Sequence, residues 1–99
     1  MGGVKGRVAL VTGAGSGEGI GFATARLLKV AGARVAITST TDRINKRCEA
    51  LGGIEAGVFA QTADLTDSAA VNALVEQIEH TLGPVDIVIN NAGMVQMGR

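Results

Sequence analysis

The chain has 99 residues, nine Lys/Arg against nine Asp/Glu, 46% hydrophobic residues and a mean hydropathy of +0.32. That length holds one domain at most, and the apolar content excludes a disordered chain. No apolar run approaches the ~18 residues of a membrane span, and with Phe22 and Phe59 the only aromatic residues there is no basic stripe with stacking rings to hold nucleic acid.

The start, MGGVKG, lacks the apolar region of a signal peptide, and Gly6 stands where a myristoylation motif has Ser or Thr. A cytoplasmic setting is expected. Val8 to Thr12 (VALVT) is a short continuous apolar run, as in a strand buried on both faces. A glycine-dense loop follows. After it, Ile20, Ala23, Leu27, Leu28 and Ala31 recur at helical spacing, so the core stripe of a first helix is expected there, with Gly32 at its end. Val35 to Thr38 is the second strand. Ile44, Cys48 and Leu51 mark a second helix stopped by Gly52-Gly53, and Val58 to Gln61 is a weaker third strand. Cys48, the single cysteine, cannot form an internal disulfide and is expected as a core thiol.

Asp67 to Leu82 carries Val71, Leu74, Val75, Ile78 and Leu82 on one stripe, with Thr66 or Asp67 to cap it and Gly83-Pro84 to stop it. His80 lies off that stripe and is expected in solvent. Val85 to Asn90 (VDIVIN) is the fourth strand. The order βαβαβαβ with short loops predicts an α/β fold, a Rossmann-like doubly wound parallel sheet of four strands.

The loop VTGAGSGEGIG places glycine at 13, 15, 17, 19 and 21. Glycine this dense costs backbone entropy, so close approach must require it. Between a parallel strand and a helix, free N–H groups and the positive end of the helix dipole make a phosphate cradle. No register gives G-x-G-x-x-G, and the P-loop lysine is absent. What fits is T-G-x-x-x-G-x-G, read as Thr12-Gly13, Gly17 and Gly19. Charge is also uneven: Met1 to Arg47 holds eight Lys/Arg against Glu18 and Asp42, whereas Cys48 to Gly98 holds seven acids and no Lys/Arg. A basic first half favours an anionic ligand on that side; ordinary solvated helix faces are the plainer explanation.

With N-N-A-G at Asn90 to Gly93 directly after the fourth strand, and Asp64 in ADLTD after the third, the chain resembles the short-chain dehydrogenase/reductase family along its whole length. The family string G-I-G-x-A-x-A then falls on Gly19 to Ala25, which makes the loop from Gly13 two residues longer than the common spacing. In that register Gly13, Gly19 and Gly21 are the required glycines, while Gly15 and Gly17 lengthen the loop and Glu18 points to solvent. The ungapped register uses Gly17 and Gly19. The resemblance implies a dinucleotide held by Gly13, Gly15, Ser16, Gly19 and Ile20. Asp64-Leu65 would flank the adenine, and the backbone of Asn91-Ala92-Gly93 would pass the nicotinamide ribose. Asn90 would brace neighbouring strands. Met94 and Met97 are expected in a frayed tail rather than against substrate.

A NAD site usually carries an acid at the end of the second strand. Here Ser39, Thr40 and Thr41 stand there with Arg43 nearby, so NADP is expected ahead of NAD. The family's Ser/Tyr/Lys proton relay has no counterpart, for the chain contains no tyrosine and its last lysine is Lys46; no catalytic residue and no metal set is expected. Residues 1–99 thus correspond to the N-terminal nucleotide-binding half of an oxidoreductase that moves hydride between NAD(P)H and a carbonyl or alcohol. The alternative is a stand-alone nucleotide-binding or self-associating module without turnover. A homo-oligomer is expected, through an exposed sheet edge or the absent half.

Overall fold

A computed structural model describes residues 3–15 and 19–91. Its elements in chain order are β1 (Val8–Thr12), α1 (Ile20–Val30), β2 (Arg34–Ser39), α2 (Ile44–Ala50), a 3-10 turn (Ile54–Ala56), β3 (Val58–Thr62), α3 (Ser68–Thr81) and β4 (Ile87–Ile89). All strands are parallel, in the order β3-β2-β1-β4. The expected α/β fold is present, with β1 buried at every position.

Alternation along the strands divides the core in two. Val11, Val35, Ile37 and Val58 pack with Phe22, Ala25, Ile44 and Leu51 under α1 and α2. Val8, Leu10 and Ala36 pack with Leu65, Val71, Leu74, Ile78 and Leu82 under α3. Each fully buried Val, Leu or Ile here contributes about 1.5–3 kcal/mol relative to exposure. The α3 stripe is as expected, and the Asp67 carboxylate caps its start by accepting the Ala69 N–H at 3.0 Å. His80 is exposed. Cys48 is half-buried, its Sγ 3.5 Å from the Val58 carbonyl, and burial followed by the Glu49 charge raises its pKa.

The expected stripe of α1 is corrected. Gly21, Phe22 and Ala25 are the buried residues, whereas Ile20 and Leu27 are 74% and 70% exposed. The helix lies close to the sheet, so small side chains and one ring fill the space directly beneath it. Of the expected aliphatic residues, Leu28 packs partly against the same cluster. Strand β4 is shorter than Val85 to Asn90 because its ladder to β1 spans only Ile87 to Ile89. Asp86 ends that ladder: its N–H donates to the Val8 carbonyl and its Oδ2 accepts the Val8 N–H, both at 2.9 Å.

Candidate functional site

The carboxyl ends of the four strands share one edge of the sheet. The order reverses beside β1, which has β2 on one side and β4 on the other, so a crevice opens there by topology alone. Gly13 leaves β1 with φ +69°, a conformation that L side chains rarely adopt. Gly21, in the first turn of α1, lies against it. A Cβ added at Gly21 would stand 2.5 Å from the Gly13 carbonyl oxygen and 3.0 Å from Asn91 Nδ2. Gly21 thus holds the close helix–strand approach, which fits the longer spacing Gly13, Gly19, Gly21. Gly19 is the N-cap of α1, no side chain among the described residues caps it, and the first turn contains no acid. Its N–H groups need acceptors from elsewhere.

Gly15 does more than lengthen the loop. A Cβ there would come 2.9 Å from Ser39 Oγ, so the loop passes hard against the end of β2. Ser39 is held in turn: its hydroxyl donates to the Thr41 carbonyl at 2.8 Å and accepts the Thr41 N–H at 3.3 Å. Arg43 Nε donates to Thr41 Oγ1 at 3.3 Å. Gly13, Gly15, Ser39, Thr40, Thr41, Arg43 and Leu65 line a depression of about 360 Å³. Beyond Thr40, which borders both, Thr62, Ala63, Asp64 and Ala70 line a second of about 600 Å³.

Asp64 Oδ1 accepts the Thr66 hydroxyl at 2.6 Å and the Thr66 N–H at 3.0 Å. The hydroxyl first, then the N–H, hold its carboxyl below the ordinary value. It is anionic at neutral pH, with Oδ2 left for a ligand donor. Leu65 is buried against α3 and presents only its rim to the crevice. Ile20, in place of a core role, is exposed beside the glycine loop.

Thr12 opens the T-G-x-x-x-G-x-G motif, but the pattern assigned it no role of its own. At the end of an aliphatic strand, its hydroxyl donates to Asn90 Oδ1 at 3.0 Å and accepts the Asn91 N–H at 2.9 Å. It fixes the loop after β4 against the loop after β1, with Asn90 bracing the strands as expected. A polar residue closing a buried apolar run was the available signal. Thr12→Val keeps the shape but leaves the Asn91 N–H without this acceptor, a loss of about 1 kcal/mol. The melting temperature should fall by roughly 4–8 °C and dinucleotide affinity several-fold, as thermal denaturation and titration would show. Unchanged affinity would mean that Asn91 is positioned by other contacts.

Ser16, Ala92 and Gly93 lie outside the described residues, as do Gly17, Glu18, Met94 and Met97. Among the described residues there is no group of three His, Cys, Asp or Glu side chains that could hold a metal, and no helix long and apolar enough to cross a membrane.

A family model described as short chain dehydrogenase matches residues 7–99. Oxidoreductase UcpA of Salmonella typhimurium is 39% identical over 98 residues, 99% of this chain and 36% of that protein. The 1-deoxy-11-beta-hydroxypentalenate dehydrogenase of Streptomyces avermitilis is 48% identical over 88 residues, 88% of this chain and 32% of its own. Among solved structures, a short chain dehydrogenase from Mycobacterium smegmatis superposes with a TM-score of 0.84 at 38% identity, covering 95% of this chain and 40% of that one. An actinorhodin polyketide ketoreductase variant with NADPH gives 0.79 at 36% identity, covering 89% and 33%. The chain therefore spans about a third of the length of these relatives.

Proposed function

The chain belongs to the short-chain dehydrogenase family, and from that premise we propose that residues 1–99 are its dinucleotide-binding half. The observation that carries this is the start of α1, uncapped by any side chain among the described residues and lying against Gly13 where the strand order reverses. A pyrophosphate would take the free N–H groups of Gly19, Ile20 and the first turn, with Gly13, Gly15 and Ser16 giving it room. Asp64 Oδ2 would accept from the adenine amino group beside Leu65, and Asn91, Ala92 and Gly93 would flank the nicotinamide ribose. The bound nicotinamide would supply hydride chemistry; these residues bind it and turn one face of it toward substrate. A cytoplasmic setting suits the unpaired thiol.

The cofactor preferred is NADP. Ser39 and Thr40 place hydroxyls where an NAD site has a carboxylate, and Arg43 lines the same depression. A 2′-phosphate there meets donors and one cation, with no repelling acid among the lining residues. Calorimetric titration should show NADPH binding several-fold tighter than NADH, and Arg43→Ala should remove most of the difference. NADH binding tighter would overturn the preference.

A second reading rests on β4, whose outer edge is unpaired among the described residues and whose Val88 is 46% exposed. Such an edge invites a second copy, as in a self-associating nucleotide-binding module. The reading frame after Arg99 separates the two: a downstream Y-x-x-x-K belongs to the reductase, an immediate stop codon to the module.

A further inference from the structure

The sequence's charge asymmetry becomes spatial in the fold. Helices α1 and α2 cover one face of the sheet and α3 the other. The α3 layer carries Asp67, Glu76 and Glu79 and no Lys or Arg, whereas α1 and α2, with the N-cap of α2, carry Arg26, Lys29, Arg43, Lys46 and Arg47 against the single acid Glu49. These cations are not used up inside the molecule. No ion pair forms among the described residues, and Arg47 Nε is buried without a hydrogen-bond partner. Arg26 and Arg47 instead both lie over the Phe22 ring, 5.3 and 5.6 Å from its centroid.

The arrangement breaks local rules. Arg43 and Arg47 are like charges one helical turn apart; Arg43 and Lys46 stand toward the start of a seven-residue helix, where the dipole disfavours cations, and Arg47 in its last turn. No acid stands in that first turn to offset them. Beside this cationic ridge runs an apolar one. At about 100° per residue, Ala23, Leu27 and Val30 lie on the side of α1 opposite its buried Phe22 and Ala25. Leu27 and Val30 are 70% and 80% exposed, and that arc carries no charge. A neighbour packed on the sheet beside α1 would cover its flank; this ridge points away from the sheet.

We propose that the outer face of α1 and α2 docks an acidic amphipathic helix of a partner protein, with its apolar side on Leu27 and Val30 and its carboxylates on Arg26, Lys46 and Arg47. A second copy fits poorly. Antiparallel pairing through α1 sets the two cationic α2 ridges against each other, and the acidic α3 layer exposes no large apolar residue to meet Leu27. The partner is recognised by negative charge flanking aliphatic anchors at i, i+3 and i+7.

The test uses a synthetic helix with leucines at i, i+3 and i+7 and glutamates on both flanks, and a counterpart with lysine for every glutamate. Fluorescence anisotropy should show the acidic peptide binding at least roughly tenfold tighter than the lysine form, and losing affinity as salt rises. Amide shift changes should concentrate on α1 and α2, away from Gly13 and Ser39, so that failure here is distinct from failure of nucleotide binding. Leu27→Glu and, separately, the fully surface change Lys46→Glu should each weaken binding several-fold with the melting temperature unchanged. Equal binding of both peptides, indifference to both substitutions, or no binding up to roughly 1 mM, a free energy of only about −4 kcal/mol, would overturn the proposal. Binding of phosphatidylglycerol vesicles in place of the peptide would also overturn it, assigning the face to lipid.

Discussion

Replacing Gly21 with alanine is expected to abolish dinucleotide binding. The added Cβ would stand 2.5 Å from the Gly13 carbonyl oxygen, a backbone atom that cannot swing aside. Either α1 tilts off the sheet or the β1 loop shifts, and both move the N–H groups that the pyrophosphate needs. Overpacking of this kind costs about 1–3 kcal/mol, and each kcal/mol lowers the melting temperature of a domain this size by roughly 4–8 °C. The chain should still fold in the cold, with NADPH affinity reduced by roughly two orders of magnitude or more. Gly13→Val and Gly19→Val should do the same, the first because φ is +69° there. Gly17→Ala should be tolerated if the loop carries the two-residue extension. Equal loss at Gly17 and Gly21 would favour the ungapped register.

The second large effect is on turnover, and here the expected result is background. Positioning a nicotinamide provides one half of a carbonyl reduction, while the developing alkoxide still needs a placed proton donor. General acid–base groups typically supply about 10²–10⁴-fold. The chain has no tyrosine, and His80 sits in the last turn of α3, away from the strand ends that line the crevice. Asp64 is held ionised by Thr66 and has no proton to give near neutral pH. The Thr66 hydroxyl, then its N–H, hold the carboxyl pKa below the ordinary value, so that only acid protonates it. Purified chain, NADPH and a panel of carbonyl compounds should therefore show no substrate-dependent oxidation. Supplying a polypeptide that carries the family's Y-x-x-x-K should restore it where the halves reassemble. Oxidation by the 99-residue chain alone, lost in Gly21→Ala, would place a proton donor among residues that have no such role here.

Strands were legible because a parallel sheet covered on both faces leaves continuous aliphatic runs: VALVT became β1 residue for residue. The α3 helix was legible because Val71, Leu74 and Ile78 are both its bulky residues and its buried ones. In α1 those two properties part. Its fully buried residues are Gly21, Phe22 and Ala25, since the turn after β1 draws the helix close to the strand, and small residues carry almost no hydrophobic signal. Ile20, Leu27 and Val30 carry the signal and face outward. The 3-10 turn at Ile54–Ala56 was invisible for a related reason: it is set by the positive φ of Gly53 and Gly57 on either side, not by any periodicity. Motif spacing singled out Gly13, Asp64 and Asn91, which follow β1, β3 and β4 at the carboxyl edge of the sheet. The hydroxyl of Thr12 that ties the two loops together emerged only from the contact between strands distant in sequence.

The central claim is that the turn between β1 and α1 holds a dinucleotide, and amide spectra recorded during an NADPH titration test it most directly. Saturable one-to-one binding is predicted, with the largest shifts at Gly13, Gly15, Gly19, Ser39 and Asn91, little change along the outer surface of α3, and loss of all of it in Gly21→Ala. Absence of shifts at millimolar NADPH, or shifts centred on α3 and unaffected by Gly21→Ala, would contradict it.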